Sequence, residues 1–346
     1  MTDIKSLTLS ELQEEMERLG EKRFRAGQIY SWLHEKLADD FQEMTNLSGA
    51  LRERLEQEYE LIRLPLVKVQ TSVQDGTSKF LFRLGDGSVI ESVLMRYHHG
   101  NSVCISSQAG CRMGCRFCAS TLDGLKRGLA PSEMLDQIYQ IQKWSKERVH
   151  NVVVMGTGEP LDNYDALLKF LKLLTGEGGL HISQRNVTVS TCGIVPRIRQ
   201  LAEEKLQITL ALSLHASSQE KRETLMPVAK KYTLSQVLDA CRYYFEQTGR
   251  RITFEYSLVS GVNDREEDAA ELAALLKPLN CHVNLIPVNP IKERDYVQPD
   301  RRKVINFKNS LEKSGINVTI RREMGRDIDG ACGQLRRSYM DTEKKR

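Results

Sequence analysis

Cys111-Arg112-Met113-Gly114-Cys115-Arg116-Phe117-Cys118 sets three thiols in a C-x3-C-x2-C spacing. A short apolar run, Ser102 to Ser106, precedes it, and a helix-like segment opening near Pro131 follows. The thiols therefore sit on a loop between a strand and a helix. Thiolates so close in sequence can wrap one inorganic centre, and four-iron clusters are held by cysteine sulfur. With three protein ligands, one iron keeps an open coordination position. A small molecule with an amine and a carboxylate can fill it, and the methionine end of S-adenosylmethionine has both.

A zinc knuckle is the competing structural reading. Structural zinc wants four closed ligands, usually in two paired groups, whereas Cys104, Cys192, Cys241, Cys281, Cys332 and the histidines are scattered. A disulfide framework belongs to secreted chains. The loop closely resembles the signature of the radical S-adenosylmethionine enzymes, which implies a [4Fe-4S] cluster on Cys111, Cys115 and Cys118.

The 346 residues suffice for one large domain or a large one with a small companion. With 40% hydrophobic and 28% charged residues, the composition is that of a soluble globular protein. The N-terminal Met1-Thr2-Asp3-Ile4-Lys5-Ser6 opens no long apolar run, and no segment is apolar enough to cross a bilayer. A cytoplasmic location is expected, where thiols stay reduced. A net charge of +4 permits nucleic-acid binding without demonstrating it.

Working outward toward the N-terminus, residues 1–60 read as a small helical accessory unit. Thr8-x-x-Glu11 is a capping box before Leu12, Met16 and Leu19, and Gly20 is a stop signal. Further helices fit Ala26–Lys36 and Ser48–Tyr59. Lys22, Arg23 and Arg25 cluster between the first two helices, either as a solvated turn or as a phosphate-contacting patch. Residues 61–100 change to short strands, 66–70, 79–83 and 89–95, divided by Asp75-Gly76 and Gly85-Asp86-Gly87 turn signals. They read as an antiparallel β extension.

From 101 to 325 strands and helices alternate. Strands are expected at 103–106, 152–155, 187–190, 208–213, 252–256, 283–286 and 318–321, with helices at 131–145, 164–174, 234–247, 266–276 and 300–314. Apolar, β-branched strands alternating with helices make a parallel sheet covered by helices. The class is α/β, and the number of units suits a partial (β/α)6-type parallel barrel better than a complete one. Chemistry then gathers at the C-terminal ends of the strands. The first strand runs into the cysteine loop. Later exits read Met155-Gly-Thr-Gly158-Glu159-Pro160, Ser190-Thr-Cys192-Gly193, Ser213-Leu214-His215 and Pro287-Val-Asn289-Pro290. Any one could be an ordinary polar loop, but together they mark a shared rim. Gly158 and Gly193 let backbone approach a ligand, while Glu159, Ser190 and Asn289 offer hydrogen-bonding groups for an amine and ribose hydroxyls. Ser213, Leu214 and His215 complete the expected cofactor-binding set.

Cys241 and Cys281 read as core thiols. Cys104 lies in the first barrel strand. Cys332 sits in Gly330-Ala-Cys332-Gly333-Gln-Leu335 within the C-terminal segment 326–346, a thiol between glycines that reads as available to react. With that motif the chain resembles the RlmN family, radical S-adenosylmethionine methyltransferases that methylate C2 of adenosine 2503 in 23S rRNA and, in some members, adenosine 37 of tRNAs. Thr157 departs from the methionine found in many members, which touches fine cofactor contacts.

The resemblance implies a relay. C2 of adenine is electron-poor and will not attack a sulfonium methyl, but a carbon radical can add to it. Cys332 takes a methyl group from one S-adenosylmethionine by displacement. Cleavage of a second gives a radical that removes hydrogen from that methyl, and the resulting methylene adds to C2. Cys104 then attacks the Cys332 sulfur, releasing product and forming a disulfide that a reductant resets. Glu91, thirteen positions before Cys104, matches the family's proton acceptor. The resemblance also implies a monomer served by an electron donor such as flavodoxin or ferredoxin. Lys126-Arg127, Arg301-Arg302-Lys303, Arg321-Arg322 and Arg336-Arg337 are candidate RNA contacts. Two rivals stay open: a sister enzyme methylating C8 of the same adenosine, and a non-catalytic iron–sulfur RNA-binding protein. The residues Glu159-Pro160 and Cys118-Ala-Ser-Thr121 favour the C2 group.

Overall fold

The computed structural model describes residues 1–290, 293–330 and 333–343. Cys332 lies outside the described residues.

The first helices are α1 (Leu9–Arg18), α2 (Phe24–His34) and α3 (Gly49–Glu58). The Thr8 hydroxyl accepts the Glu11 amide while the Glu11 carboxylate accepts the Thr8 amide at 2.8 Å, so α1 starts with the capping box its sequence announces. A parallel pair of two-residue strands, β1 (Thr2–Asp3) and β2 (Tyr59–Glu60), closes this unit. It is fastened to α4 (Pro131–Ser145), the helix after the cysteine loop. Lys5 Nζ donates to Asp136 Oδ1 at 2.7 Å, and the Leu64 amide donates to Asp136 Oδ2 at 2.7 Å. Both charged side chains are buried.

The centre of the molecule is one ten-stranded sheet. Its antiparallel part is β3 (Leu66–Thr71), β4 (Ser78–Arg83) and β5 (Val89–Tyr97), which pairs with β6 (Gly100–Ile105). The β extension is thus the flank of the main sheet. A short ribbon, β7 (Gln108–Gly110) with β8 (Leu125–Gly128), brackets the cysteine loop. It was not apparent from sequence. From β6 onward the main sheet is parallel: β9 (Val149–Val154), β10 (Val187–Thr191), β11 (Thr209–Ser213), β12 (Ile252–Leu258), β13 (Cys281–Pro287) and β14 (Val318–Ile320) follow in spatial order. Between them run α5 (Tyr164–Thr175), α6 (Val195–Glu203), α7 (Gln219–Leu225), α8 (Leu234–Thr248), α9 (Glu266–Leu276) and α10 (Arg301–Lys313), and α11 (Gln334–Glu343) ends the described chain. The core is built from the β-branched and Leu-rich strand faces, Val152, Val154, Val187, Val189, Leu210 and Leu212 among them, each fully buried. This is the expected partial parallel barrel, and its strand exits share one end.

Candidate active site

A cavity of about 460 Å³ opens at that end. Cys111, Cys115 and Cys118 form one wall. Their loop is held from both sides: the Cys111 amide donates to the Gly124 carbonyl at 2.9 Å, the Arg116 amide to the Leu225 carbonyl at 2.9 Å, and the Thr121 hydroxyl to the Cys115 and Cys118 carbonyls. At the base of the ribbon, Gly110 has φ +81°, and a Cβ there would lie 2.0 Å from the Gly124 oxygen, so only glycine fits. Burial pushes the Cys111 thiol up to about 12, and burial with the neighbouring thiolates pushes Cys115 well above its ordinary value. Three such sulfurs can be thiolates together only around a positive centre. A cluster takes each thiolate on a separate iron. The donor set fits a cluster.

Opposite stands the β9 exit. Gly158, at φ +115°, packs so closely on Gln108 that a Cβ would lie 2.7 Å from its side chain. Glu159 is buried, with Oε1 accepting the Leu161 amide at 3.0 Å and Oε2 the Cys192 amide at 2.7 Å. Burial raises its pKa while these hydrogen bonds oppose the rise. One carboxylate therefore ties the β9 and β10 exits together beside the cavity. Ser190, Ser213, His215 and Asn289 also line it. Leu214 does not: its side chain is fully buried in the core, and its amide donates to the Glu255 carbonyl.

His215 sits in the left-handed region at φ +59°, a strained conformation for a side-chain-bearing residue. Its Nδ1 accepts the Ser257 amide at 2.9 Å, so the proton of the neutral ring is on Nε2. Burial, with the positive charge of Arg222, depresses its pKa to about 3. The ring meets Phe117 of the cysteine loop edge-on, 4.6 Å between centroids.

Cys104 lines the same cavity from β6, paired in register with Val93 and Val153. So do Gly330 and Gln334, which flank the undescribed Ala331 and Cys332. Glu91 does not face the cavity. Its carboxylate accepts the Gly333 amide at 2.7 Å and the Arg336 amide at 2.5 Å, and pairs with Lys79 at 3.2 Å. Lys79 in turn donates to the Asp329 carbonyl at 2.7 Å. One buried ion pair thus grips both stems of the segment bearing Cys332.

Sequence reasoning passed over Lys79 and Glu255, which lines the cavity and accepts from Asn284 at 3.1 Å. The signal for Glu255 was there: a carboxylate inside the apolar run Ile252-Thr-Phe-Glu-Tyr-Ser-Leu258. The basic candidates divide. Arg127 is spent on Glu133, bidentate at 2.7 Å, and on Asp86. Arg336 is buried against Asp123, and Arg337 pairs with Asp123 and Glu293, so this pair is no open phosphate site. Arg321 and Arg322 are exposed and line the cavity.

Comparison with known proteins agrees with this geometry. Residues 105–273 match the Radical SAM superfamily, and residues 2–61 match the ribosomal RNA large subunit methyltransferase N-terminal domain. A probable dual-specificity RNA methyltransferase RlmN from Lachnospira eligens is 67% identical over 99% of this chain and 97% of its own. A protein of the same name from Clostridium perfringens is 53% identical, covering 99% of each chain. The crystal structure of a radical SAM methyltransferase from Sphaerobacter thermophilus superposes with a TM-score of 0.93 at 41% identity, over 96% of this chain and 99% of that one.

Proposed function

The chain belongs to the RlmN family of radical S-adenosylmethionine RNA methyltransferases, and from that premise we propose that it methylates C2 of adenosine 2503 in 23S rRNA and adenosine 37 of tRNAs through Cys332 and Cys104. The observation that carries the reading is the shared cavity: Cys104, the three loop cysteines and both flanks of Cys332 line it together.

Cys111, Cys115 and Cys118 would hold the [4Fe-4S] cluster, and Glu159, Ser190, Ser213, His215 and Asn289 would hold S-adenosylmethionine. When bound, the cluster supplies the electron that cleaves the sulfonium and produces the hydrogen-abstracting radical. The chain's own residues do the rest. Cys332 sulfur displaces a methyl group from a first S-adenosylmethionine and carries it as a thioether. After that carbon has bonded to C2, the adduct loses the C2 proton and one electron, the electron returning to the cluster. Glu91 is assigned the proton on the family likeness, since its carboxylate is buried against the Gly333 amide and does not itself face the cavity. Cys104 sulfur then attacks Cys332 sulfur. The sulfur–carbon bond breaks, its electron pair stays on the methylene carbon, which takes up a proton to complete the methyl group, and a disulfide remains for a cellular thiol or dithiol to reduce. Adenine C2 is reached only when the base is unstacked, so the substrate is a loop or a partly folded RNA.

Cys104→Ala removes the attacking sulfur while leaving the earlier steps. Incubated anaerobically with RNA, that variant should accumulate a covalent protein–RNA adduct through Cys332, visible as a retarded band and by mass. Ordinary turnover by Cys104→Ala would remove Cys104 from the mechanism.

A further inference from the structure

Behind the cysteine loop lies a guanidinium with no exposed surface and no carboxylate pairing with it among the described residues. Arg222, on α7, is 0% exposed. Its Nη2 donates to the Cys192 carbonyl at 2.7 Å and the Ser213 carbonyl at 3.4 Å, and its Nε to the Leu214 carbonyl at 3.2 Å. Nη1 is buried without a hydrogen-bond partner. These bonds brace the β10 and β11 exits, but carbonyl dipoles only partly offset a buried charge. Desolvating a lone cation is among the costliest things a fold can do. Something anionic belongs nearby.

What is nearby is thiol. Cys115 and Cys192 pack with Leu225 and Met226 in one cluster at the end of α7. Arg116, next to Cys115, is bonded through its amide to Leu225. Arg222 is bonded to the carbonyl of Cys192, and Cys192 packs in the same cluster as Cys115, so the guanidinium lies beside the cysteine loop. An iron–sulfur cluster on three thiolates is net anionic, and becomes more so on reduction.

We propose that Arg222 is a positioning residue that supplies the counter-charge to the cluster held by Cys111, Cys115 and Cys118, favouring its reduced form and so setting its reduction potential. The proposal rests on those cysteines holding the cluster. Net charge around a cluster is one of the quantities that set its potential, so the effect is separable from bracing.

Wild type, Arg222→Gln and Arg222→Lys are reconstituted anaerobically with iron and sulfide, iron content is measured, and the cluster is titrated by EPR at controlled potential. Arg222→Gln should load iron but reduce at a more negative potential than wild type, while Arg222→Lys stays close to wild type although its thermal midpoint falls. An Arg222→Gln protein with full iron and the wild-type potential would overturn the proposal and leave Arg222 a brace. If Arg222→Gln fails to load, Arg222→Lys decides: a retained potential supports the counter-charge, and a potential displaced despite the retained charge refutes it. Wild type that takes up no iron would fail differently, sinking the cluster reading itself.

Discussion

A lysine with none of its side chain in water, such as Lys79, needs both an anion and acceptors, and Glu91 with the Asp329 carbonyl supplies them. Removing one partner of a buried pair leaves an uncompensated charge, whereas replacing both by apolar groups is far milder. Glu91→Ala should therefore cost about 3 kcal/mol of stability. Lys79→Met combined with Glu91→Leu should cost clearly less, as read from urea midpoints. Equal losses in the single and double variants would show that the pair does not couple. Glu91 is singled out in the sequence only through the family likeness and Lys79 not at all, since Ser78-Lys-Phe-Leu-Phe-Arg83 reads simply as a strand, with nothing to say whether the face bearing Lys79 is covered. That face is in fact covered: Leu335 of α11 packs on Leu81 and Val89. Which strand faces are dry depends on a helix more than two hundred residues away, and alternation along one strand carries no trace of it.

Among the elements, the long amphipathic helices and β-branched strands were readable because their periodicity is strong; α4 and α9 begin and end where the sequence places them. The missed elements are short or polar. Gln219-Glu-Lys-Arg-Glu-Thr-Leu225 has too few apolar positions to declare a helix, yet as α7 it delivers Arg222. The ribbon β7–β8 depends on Gly110 meeting Gly124, a contact set by tertiary closeness. The docking of α2 on α4 makes a pH prediction. His34 is fully buried, its Nδ1 2.9 Å from the Tyr139 hydroxyl, with the Tyr30 ring tilted against it and the Lys5–Asp136 pair beside Tyr139. Burial, with the charge of Lys5, lowers its pKa from 6.5 to about 3. Between those values the unfolded chain binds a proton that the folded chain refuses, so this contribution is complete above pH 6.5 and is lost as pH falls toward 3. His34→Gln should flatten the acid limb of stability against pH by about 1.4 kcal/mol per pH unit. An unchanged slope in denaturant titrations at pH 4 to 6.5, within the window between those two values, would contradict this.

At the scale of the whole molecule, Cys104, the three loop cysteines and the described residues on either side of Cys332 all line one cavity at the same end of one sheet. The sequence could show this for the parallel strands, since exits from such strands share a rim by construction. It could not show that the antiparallel flank joins the same sheet, which is what sets Cys104 and Glu91 on neighbouring strands, β6 and β5. Nor could it show that the helical unit is fastened through a buried Lys5–Asp136 pair to the helix leaving the cysteine loop. The central claim is that this end of the sheet turns S-adenosylmethionine into a radical methylating agent for adenine C2. The direct test is anaerobic turnover of the reconstituted protein on unmodified 23S rRNA, followed by identification of the nucleosides. The account predicts 5′-deoxyadenosine together with 2-methyladenosine at position 2503. Methylation at C8, or methylated RNA without 5′-deoxyadenosine, would contradict it.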